Sequence, residues 1–263
     1  MIRIGVLGAG GRMGRAVIDE VQAAPDCWLA GGVERAGHPA CGQVIGEGLV
    51  VCANAAPVAH KADVLIDFSS PDALDSNLRA ALDGNAAILV GTTGLGPEHQ
   101  AAIDQAARSI AVLQAANTSL GVTLLAALVE QAARALDAGW DIEILDLHHR
   151  HKVDAPSGTA LMLGEAAAAG RGAKLEALRL PPHETTDGPR RGGGIGFAAL
   201  RAGSSAGEHR VLFAGEGERI ELVHVAESRA IFARGAVRAA RWLAGRKPGR
   251  YRMSDIFGLA NAG

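Results

Sequence analysis

Three histidines, an arginine and a lysine stand together in His148-His149-Arg150-His151-Lys152. The residues that follow, Val153-Asp154-Ala155-Pro156-Ser157-Gly158-Thr159, form a turn opening into the helix-like segment Ala160-Leu161-Met162-Leu163. The whole chain has nine His and four Lys, so three of the former and one of the latter within five positions mark a chemical centre. Cationic side chains leading into a helix start hold anions, because free N–H groups and the helix dipole favour a carboxylate or phosphate there. Ser157 and Thr159 add hydroxyl donors, and Gly158 allows close approach to the backbone. Lys152, read beside Arg150 and the imidazoles, is expected to sit among like charges, an environment that suits a general acid. Two plainer readings stand beside this one: Ser157 or Thr159 as a helix cap, or a metal held by three imidazoles. Spacing of i, i+1 and i+3 puts those imidazoles on no common side of a strand or helix. The expectation is therefore an anion site with no metal.

The elements that must present this stretch begin at the N-terminus. Ile2-Arg3-Ile4-Gly5-Val6-Leu7 has the pattern of a short buried strand. It runs into Gly8-Ala9-Gly10-Gly11-Arg12-Met13-Gly14 and then the amphipathic segment Arg15-Ala16-Val17-Ile18-Asp19-Glu20-Val21. Strand, glycine turn and helix in that order are the setting of a dinucleotide fingerprint. The spacing here is G-x-x-G-x-x-G, which keeps the tight turn, the backbone approach to a pyrophosphate and the close helix packing. The next strand, Trp28-Leu29-Ala30-Gly31-Gly32-Val33, ends at Glu34-Arg35, about 20 residues on, where an acid grips a ribose diol. Arg35 beside it can pair with a 2′-phosphate, so both NADH and NADPH are accommodated.

Further strands follow at 64–68, 87–90 and 110–114, with a short one expected near 49–52. They alternate with helices over 70–82, where Ser70 is read as the cap and Pro71 as the first turn, and over 97–108 and 120–136. Alternation of this kind gives a parallel, doubly wound α/β sheet whose ligand lies beyond the carboxyl ends of the strands. The turns Gly91-Thr92-Thr93 and Ala115-Ala116-Asn117-Thr118 fall at such ends and are read as cofactor contacts.

After 136 the periodicity changes. Asp141-Ile142-Glu143-Ile144-Leu145-Asp146-Leu147-His148 alternates with period two. A helix over 160–169 and a Pro-, Gly- and Arg-rich stretch over 181–196, read as a mobile loop, precede three strands at 195–201, 209–214 and 218–225. This describes a smaller α+β domain with an open, mostly antiparallel or mixed sheet, whose exposed surface invites oligomers. A helix over 231–243 returns to the first domain. The expected domains are 1–118 with 230–263 for the dinucleotide and 119–229 for substrate and oligomerisation.

Bulk properties narrow the class. The sequence is 48% apolar with only 3% aromatic residues and carries a net charge of −2. That composition fits close-packed α/β architecture and argues against a nucleic-acid partner. No apolar run reaches membrane-spanning length, and Met1-Ile2-Arg3-Ile4 enters a strand without signal-peptide grammar. Cys27, Cys41 and Cys52 lack zinc or redox spacing. A cytoplasmic, reduced setting with no membrane partner is expected.

Taken together, these residues closely resemble the dihydrodipicolinate reductase family over nearly the whole chain. The resemblance includes the glycine turn, Gly91-Thr92-Thr93-Gly94, Ala115-Ala116-Asn117, Gly194-Ile195-Gly196-Phe197, Gly207-Glu208-His209 and Gly235-Ala236-Val237-Arg238. Its most specific part is Glu143 with the 148–160 stretch. The resemblance implies reduction of 4-hydroxy-tetrahydrodipicolinate by NADH or NADPH in lysine and diaminopimelate biosynthesis. It implies His148 and Lys152 as the catalytic pair, and His149, Ser157, Gly158 and Thr159 on the substrate's carboxylates. The cofactor residues it implies are Gly8, Ala9, Gly10, Gly11, Arg12, Met13, Glu34, Arg35, Gly91, Thr92, Thr93, Ala115, Ala116, Asn117 and Thr118, with Arg229 where the chain crosses back. It further implies a homotetramer built through the second sheet, and domains that close over the ligands. Thr118 replaces an aromatic residue of the enterobacterial pattern and Ser70 replaces an arginine, which removes one partner for a 2′-phosphate. Another two-domain dehydrogenase of amino or hydroxy acids, or a catalytically idle NAD(P)-binding sensor, would share the glycine turn. Neither accounts for the 148–159 stretch, and a hydrolase built on a metal would leave the N-terminal half without a purpose.

Overall fold

The computed structural model describes residues 1–182 and 188–258. In chain order the elements are β1 (Ile2–Leu7), α1 (Arg12–Ala23), β2 (Cys27–Val33), β3 (Val51–Cys52), α2 (Ala56–Ala59), β4 (Val64–Asp67), α3 (Leu74–Gly84), β5 (Ala87–Val90), α4 (Pro97–Ala106) and β6 (Ala111–Gln114). They continue as α5 (Leu120–Ala135), β7 (Asp141–His148), α6 (Gly158–Gly170), α7 (Leu175–Leu178), β8 (Ile195–Arg201), β9 (Glu208–Gly215), β10 (Glu218–Val225), α8 (Ala230–Leu243) and β11 (Gly249–Tyr251). The chain divides into two compact units, Met1–Leu120 with Ala230–Gly263, and Gly121–Arg229.

The first unit is a seven-stranded sheet in the order β11-β6-β5-β4-β1-β2-β3, with every pairing parallel. The expected doubly wound sheet is therefore present. Parallel strands buried on both faces need continuous apolar runs, and Val64–Asp67 and Ala87–Val90 are buried at every position. On one face α1 and α8 pack through Val17, Ile18, Val21, Ala233, Ala236, Val237 and Ala240. On the other, α2, α3 and α4 pack through Val58, Leu74, Leu78, Ala81 and Ile103. Helix α1 is placed by apolar residues at i, i+3, i+4 and i+7 from Gly14. A β-carbon at Gly14 would lie 2.1 Å from the Gly8 carbonyl oxygen, so only glycine lets this helix meet the turn.

One local expectation is corrected and two elements are added. Ser70 makes no side-chain cap: Pro71–Ala73 is a turn of 3-10 helix leading into α3, and Ser70 precedes it with its side chain unbonded to the helix. The short helix α2 is an addition, a single turn with Pro57 near its start and no periodic apolar pattern to announce it. The strand β11 was not anticipated at all, since Gly249-Arg250-Tyr251 has no apolar run; it exists because the edge of β6 offers unpaired backbone.

The second unit is a four-stranded sheet, β10-β9-β7-β8, with β10–β9 and β9–β7 antiparallel and β7–β8 parallel. The sheet is mixed, and β8 and β9 are not neighbours despite the short connection between them; β7 lies between. One face is buried under α5, α6 and α7 by Ile142, Ile144, Val211 and Phe213 with Leu125, Val129 and Leu163. Of the 181–196 stretch expected as a mobile loop, 183–187 lie outside the described residues. Its described part is tied to β7: Arg190 donates to the carboxylates of Asp141 and Glu143 and to the Ile142 carbonyl.

Candidate functional site

In the first unit the sheet register decides what meets. Val33, Leu7, Asp67, Val90 and Gln114 are paired across five adjacent strands, so all five carboxyl ends lie in one row. The turns after them, at Gly8, Glu34, Phe68, Gly91 and Ala115, therefore emerge side by side. The order reverses at β1, between β4 and β2, the position where doubly wound sheets bind nucleotides. Gly8 has φ +78°, and a β-carbon there would lie 2.4 Å from the Phe68 carbonyl oxygen. Gly11 caps α1 with no side chain, so the first amides of the helix face outward for an anion.

Glu34 closes over this turn. One carboxylate oxygen accepts the Gly10 amide at 3.0 Å and the other accepts the Arg35 amide at 3.0 Å. Beside it is a cavity of about 680 Å³ lined by Gly8, Gly11, Glu34, Arg35, Ser69 and Ser70. A glycine cradle, uncapped helix amides and an acid at the second strand end fit a dinucleotide. Asp67, fully buried, fastens the neighbouring turns: it accepts the Ser69 amide and hydroxyl, the Thr92 hydroxyl and the Asn77 amide group. Burial pushes its carboxyl above the ordinary range, against the pull of these four donors. Thr93 and Ala116 are exposed, whereas Thr118 is buried and donates to the Phe232 carbonyl at 2.7 Å.

In the second unit the chemistry gathers where the buried face of the sheet turns polar. Alternation puts Ile142, Ile144, Asp146 and His148 on one face of β7. Register then sets His209 of β9 beside Asp146, His224 of β10 beside His209, and Arg201 of β8 beside His148. A buried carboxylate without partners costs several kcal/mol, and Asp146, fully buried, is well supplied. Its Oδ1 accepts Arg201 at 2.8 Å and its Oδ2 accepts the Ser157 amide at 2.7 Å. Burial pushes this carboxyl up, but Arg201 and Ser157 outweigh it and hold it below the usual range.

His148 is 8% exposed, with Nδ1 buried 3.8 Å from Asp146 Oδ2 and making no hydrogen bond. The His209 ring meets it edge to face at 5.2 Å between centroids. Burial lowers the His148 pKa; Asp146 opposes that, while Lys152, Arg201 and His149 add to it. Burial, reinforced by His148, pushes His209 down to about 4. Asp146, His148 and His209 place three donor atoms within 4.8 Å of one another. Both carboxylate oxygens are already engaged, however, and the surrounding Arg201 and Lys152 are cations, so the charge balance opposes a divalent metal.

The positions read from sequence divide. Ser157 is the N-cap of α6: its Oγ accepts the Ala160 amide at 3.1 Å and lies 3.2 Å from His209 Nε2. The plainer capping reading holds for it, and the hydroxyl is buried. Gly158 is exposed and Thr159 partly so, at the mouth of the same helix. Lys152 is not left among like charges: its Nζ meets Asp154 Oδ1 at 2.8 Å. Arg229, assigned to the cofactor by resemblance, has its guanidinium 3.3 Å from His149 Nε2, against a substrate candidate. Asp146, Arg201 and His209 were not singled out. Period-two alternation did contain the signal for Asp146, which must share a face with His148.

A sheet of dinucleotide-binding type followed by a unit with a buried imidazole and carboxylate corner defines a two-unit NAD(P)H-dependent oxidoreductase. Family models for dihydrodipicolinate reductase match both halves, the N-terminal one over residues 2–118 and the C-terminal one over 121–257. The 4-hydroxy-tetrahydrodipicolinate reductase of Zymomonas mobilis is 53% identical over 262 residues, covering 98% of each chain. That of Methylocella silvestris is 49% identical over 267 residues, covering 99% of this chain and 98% of the other. Among solved structures, a dipicolinate-bound dihydrodipicolinate reductase from Paenisporosarcina sp. TG-14 superposes with a TM-score of 0.79 at 24% identity, over 96% of this chain and 97% of that one. The chain belongs to the dihydrodipicolinate reductase family.

Proposed function

We propose that this protein reduces 4-hydroxy-tetrahydrodipicolinate to tetrahydrodipicolinate with NADH or NADPH, a step of lysine and diaminopimelate biosynthesis. The observation that carries the reading is end-to-end likeness to reductases of that name, with family models matching both halves of the chain. The reduced nicotinamide supplies the hydride. The turns at Gly8–Met13, Glu34–Arg35, Gly91–Thr93 and Ala115–Thr118 hold the dinucleotide, which makes 1–118 with 230–263 the cofactor domain. The domain at 119–229 holds the dicarboxylate through His149, Gly158, Thr159 and Arg229. Ser157 shapes the helix mouth.

His148 and Lys152 form the catalytic pair. The 4-hydroxyl leaves as water with a neighbouring ring proton, giving a conjugated ring; hydride then adds to that ring, and an ammonium or imidazolium beside it gives up the proton that completes the reduction. Arg35 is the partner for a 2′-phosphate. The free face of the second sheet, bearing Leu200, Val223 and Val225 at 46–54% exposure, is the surface through which a homotetramer assembles. The described residues contain no helix long and apolar enough to cross a membrane, and the proposed setting is the cytoplasm.

The test is to generate the substrate by enzymatic condensation of aspartate semialdehyde with pyruvate, and to follow the near-ultraviolet absorbance of NADH and NADPH in parallel. Cofactor oxidation that depends on the condensation product is expected. No oxidation with either cofactor ends the reading.

A further inference from the structure

The Asp146 carboxylate is fixed more firmly than packing requires. It is fully buried, held by the Arg201 guanidinium from β8 and by the Ser157 amide at the start of α6, and it faces one atom that has no partner, the buried Nδ1 of His148. Nδ1 and Oδ2 stand 3.8 Å apart, too far for a hydrogen bond and near enough for strong attraction once the imidazole is protonated. The other ring nitrogen, Nε2, lies beside Gly207, where a β-carbon would come within 3.0 Å of it. The ring is therefore confined on one side by a backbone without a side chain, on another by the His209 edge, and on a third by a fixed negative charge.

We propose that Asp146, held by Arg201, is a positioning residue for His148. Its charge opposes the loss of the imidazole's proton that burial favours, keeps a proton on Nδ1 and leaves Nε2 as the atom that exchanges a proton with the ligand. Arg201 works in the opposite sense, occupying Oδ1 and adding a positive charge, so that the pair sets the acidity of His148 between two limits. The groups facing His148 are Asp146 on its own strand, His149 and Lys152 on the loop after it, Arg201 on β8 and His209 on β9. Asp146 is the one anion among them. Neutral His209, with Ser157 Oγ at its Nε2, supplies bulk and polarity without charge. The inference deepens the reading of His148 as a proton donor and rests on it for its catalytic meaning.

The experiment uses the full-length protein with labelled histidine. The His148 resonance is identified by its loss in His148→Gln, and the imidazole is titrated by NMR in wild type, Asp146→Asn and Arg201→Gln. Removing the anion should lower the His148 pKa by about one pH unit, and removing the guanidinium should raise it. Opposite shifts establish the arrangement. The pH profile of kcat should follow, its alkaline limb moving to lower pH in Asp146→Asn and to higher pH in Arg201→Gln. An unchanged His148 titration in a folded Asp146→Asn overturns the proposal. If that variant does not fold, a fixed or lowered pKa in Arg201→Gln overturns it. Failure of the functional reading looks different: the NMR shifts appear with opposite signs, yet His148→Gln turns over substrate at the wild-type rate.

Discussion

Lys152 and His148 are four residues apart and meet carboxylates of opposite character. Asp154, beside the ammonium, is exposed and screened by water, whereas Asp146, beside the imidazole, is sealed in the sheet. A surface pair of the first kind is worth at most about 1 kcal/mol, so Lys152 can exchange Asp154 for a ligand at small cost. Lys152→Met should lower kcat roughly 10²–10⁴-fold with little change in KM, a split that steady-state kinetics will show. Arg35→Ala should weaken NADPH more than NADH in fluorescence titrations; equal losses would remove its role at the 2′-phosphate. His209 makes a prediction about acid. Its folded pKa of about 4 lies below the ordinary 6.5, so the unfolded chain takes up the proton first. Its contribution is complete above pH 6.5, declines as pH falls, and is gone below about 4, on the order of 3 kcal/mol in all. His209→Gln should flatten the fall in Tm between those pH values. The types and crowding at 148–152 were legible in the chain. That one of those histidines would be buried against Asp146 was not, because burial belongs to the strand's neighbours.

Elements carry the next level of constraint. Helix α1 must touch its own turn for its amides to face an anion, and Gly14 is what permits the contact. Gly14→Ala should cost roughly 1–3 kcal/mol of stability through overpacking and abolish dinucleotide binding, read by denaturant midpoint and by titration with NADH. A variant that binds NADH normally would show that the helix start is not the anion site. Strand β7 was readable to its ends because alternating burial leaves a period-two imprint at 141–148. Strand β11 left none. Its three residues are held by pairing with β6 and by distant partners, Arg250 on Asp104 and Tyr251 against Trp242, none of which leaves a local period in the sequence.

For the whole molecule, the exposed face of the second sheet is the feature with a measurable consequence. Leu200, Val223 and Val225 leave large apolar side chains on one surface of β8 and β10. On the assembly proposed above, Leu200→Glu should convert the tetramer to smaller species in sedimentation velocity while leaving NADH affinity in the first unit intact. A wild-type protein that sediments as a monomer would contradict the assembly outright. The alternation of strand and helix, the glycine turn, the switch in periodicity after 136 and the crowded 148–159 stretch are local properties, set by residues within a few positions of one another, and the sequence by itself determined them. Tertiary structure decided which distant residues share a rung. Arg201 lies 55 residues from Asp146, and they meet because β7 pairs with β8 on one side and β9 on the other. Period assigns a side chain to a face of its own strand, but strand order and register, fixed by the packing of the entire sheet, choose the side chains it will meet.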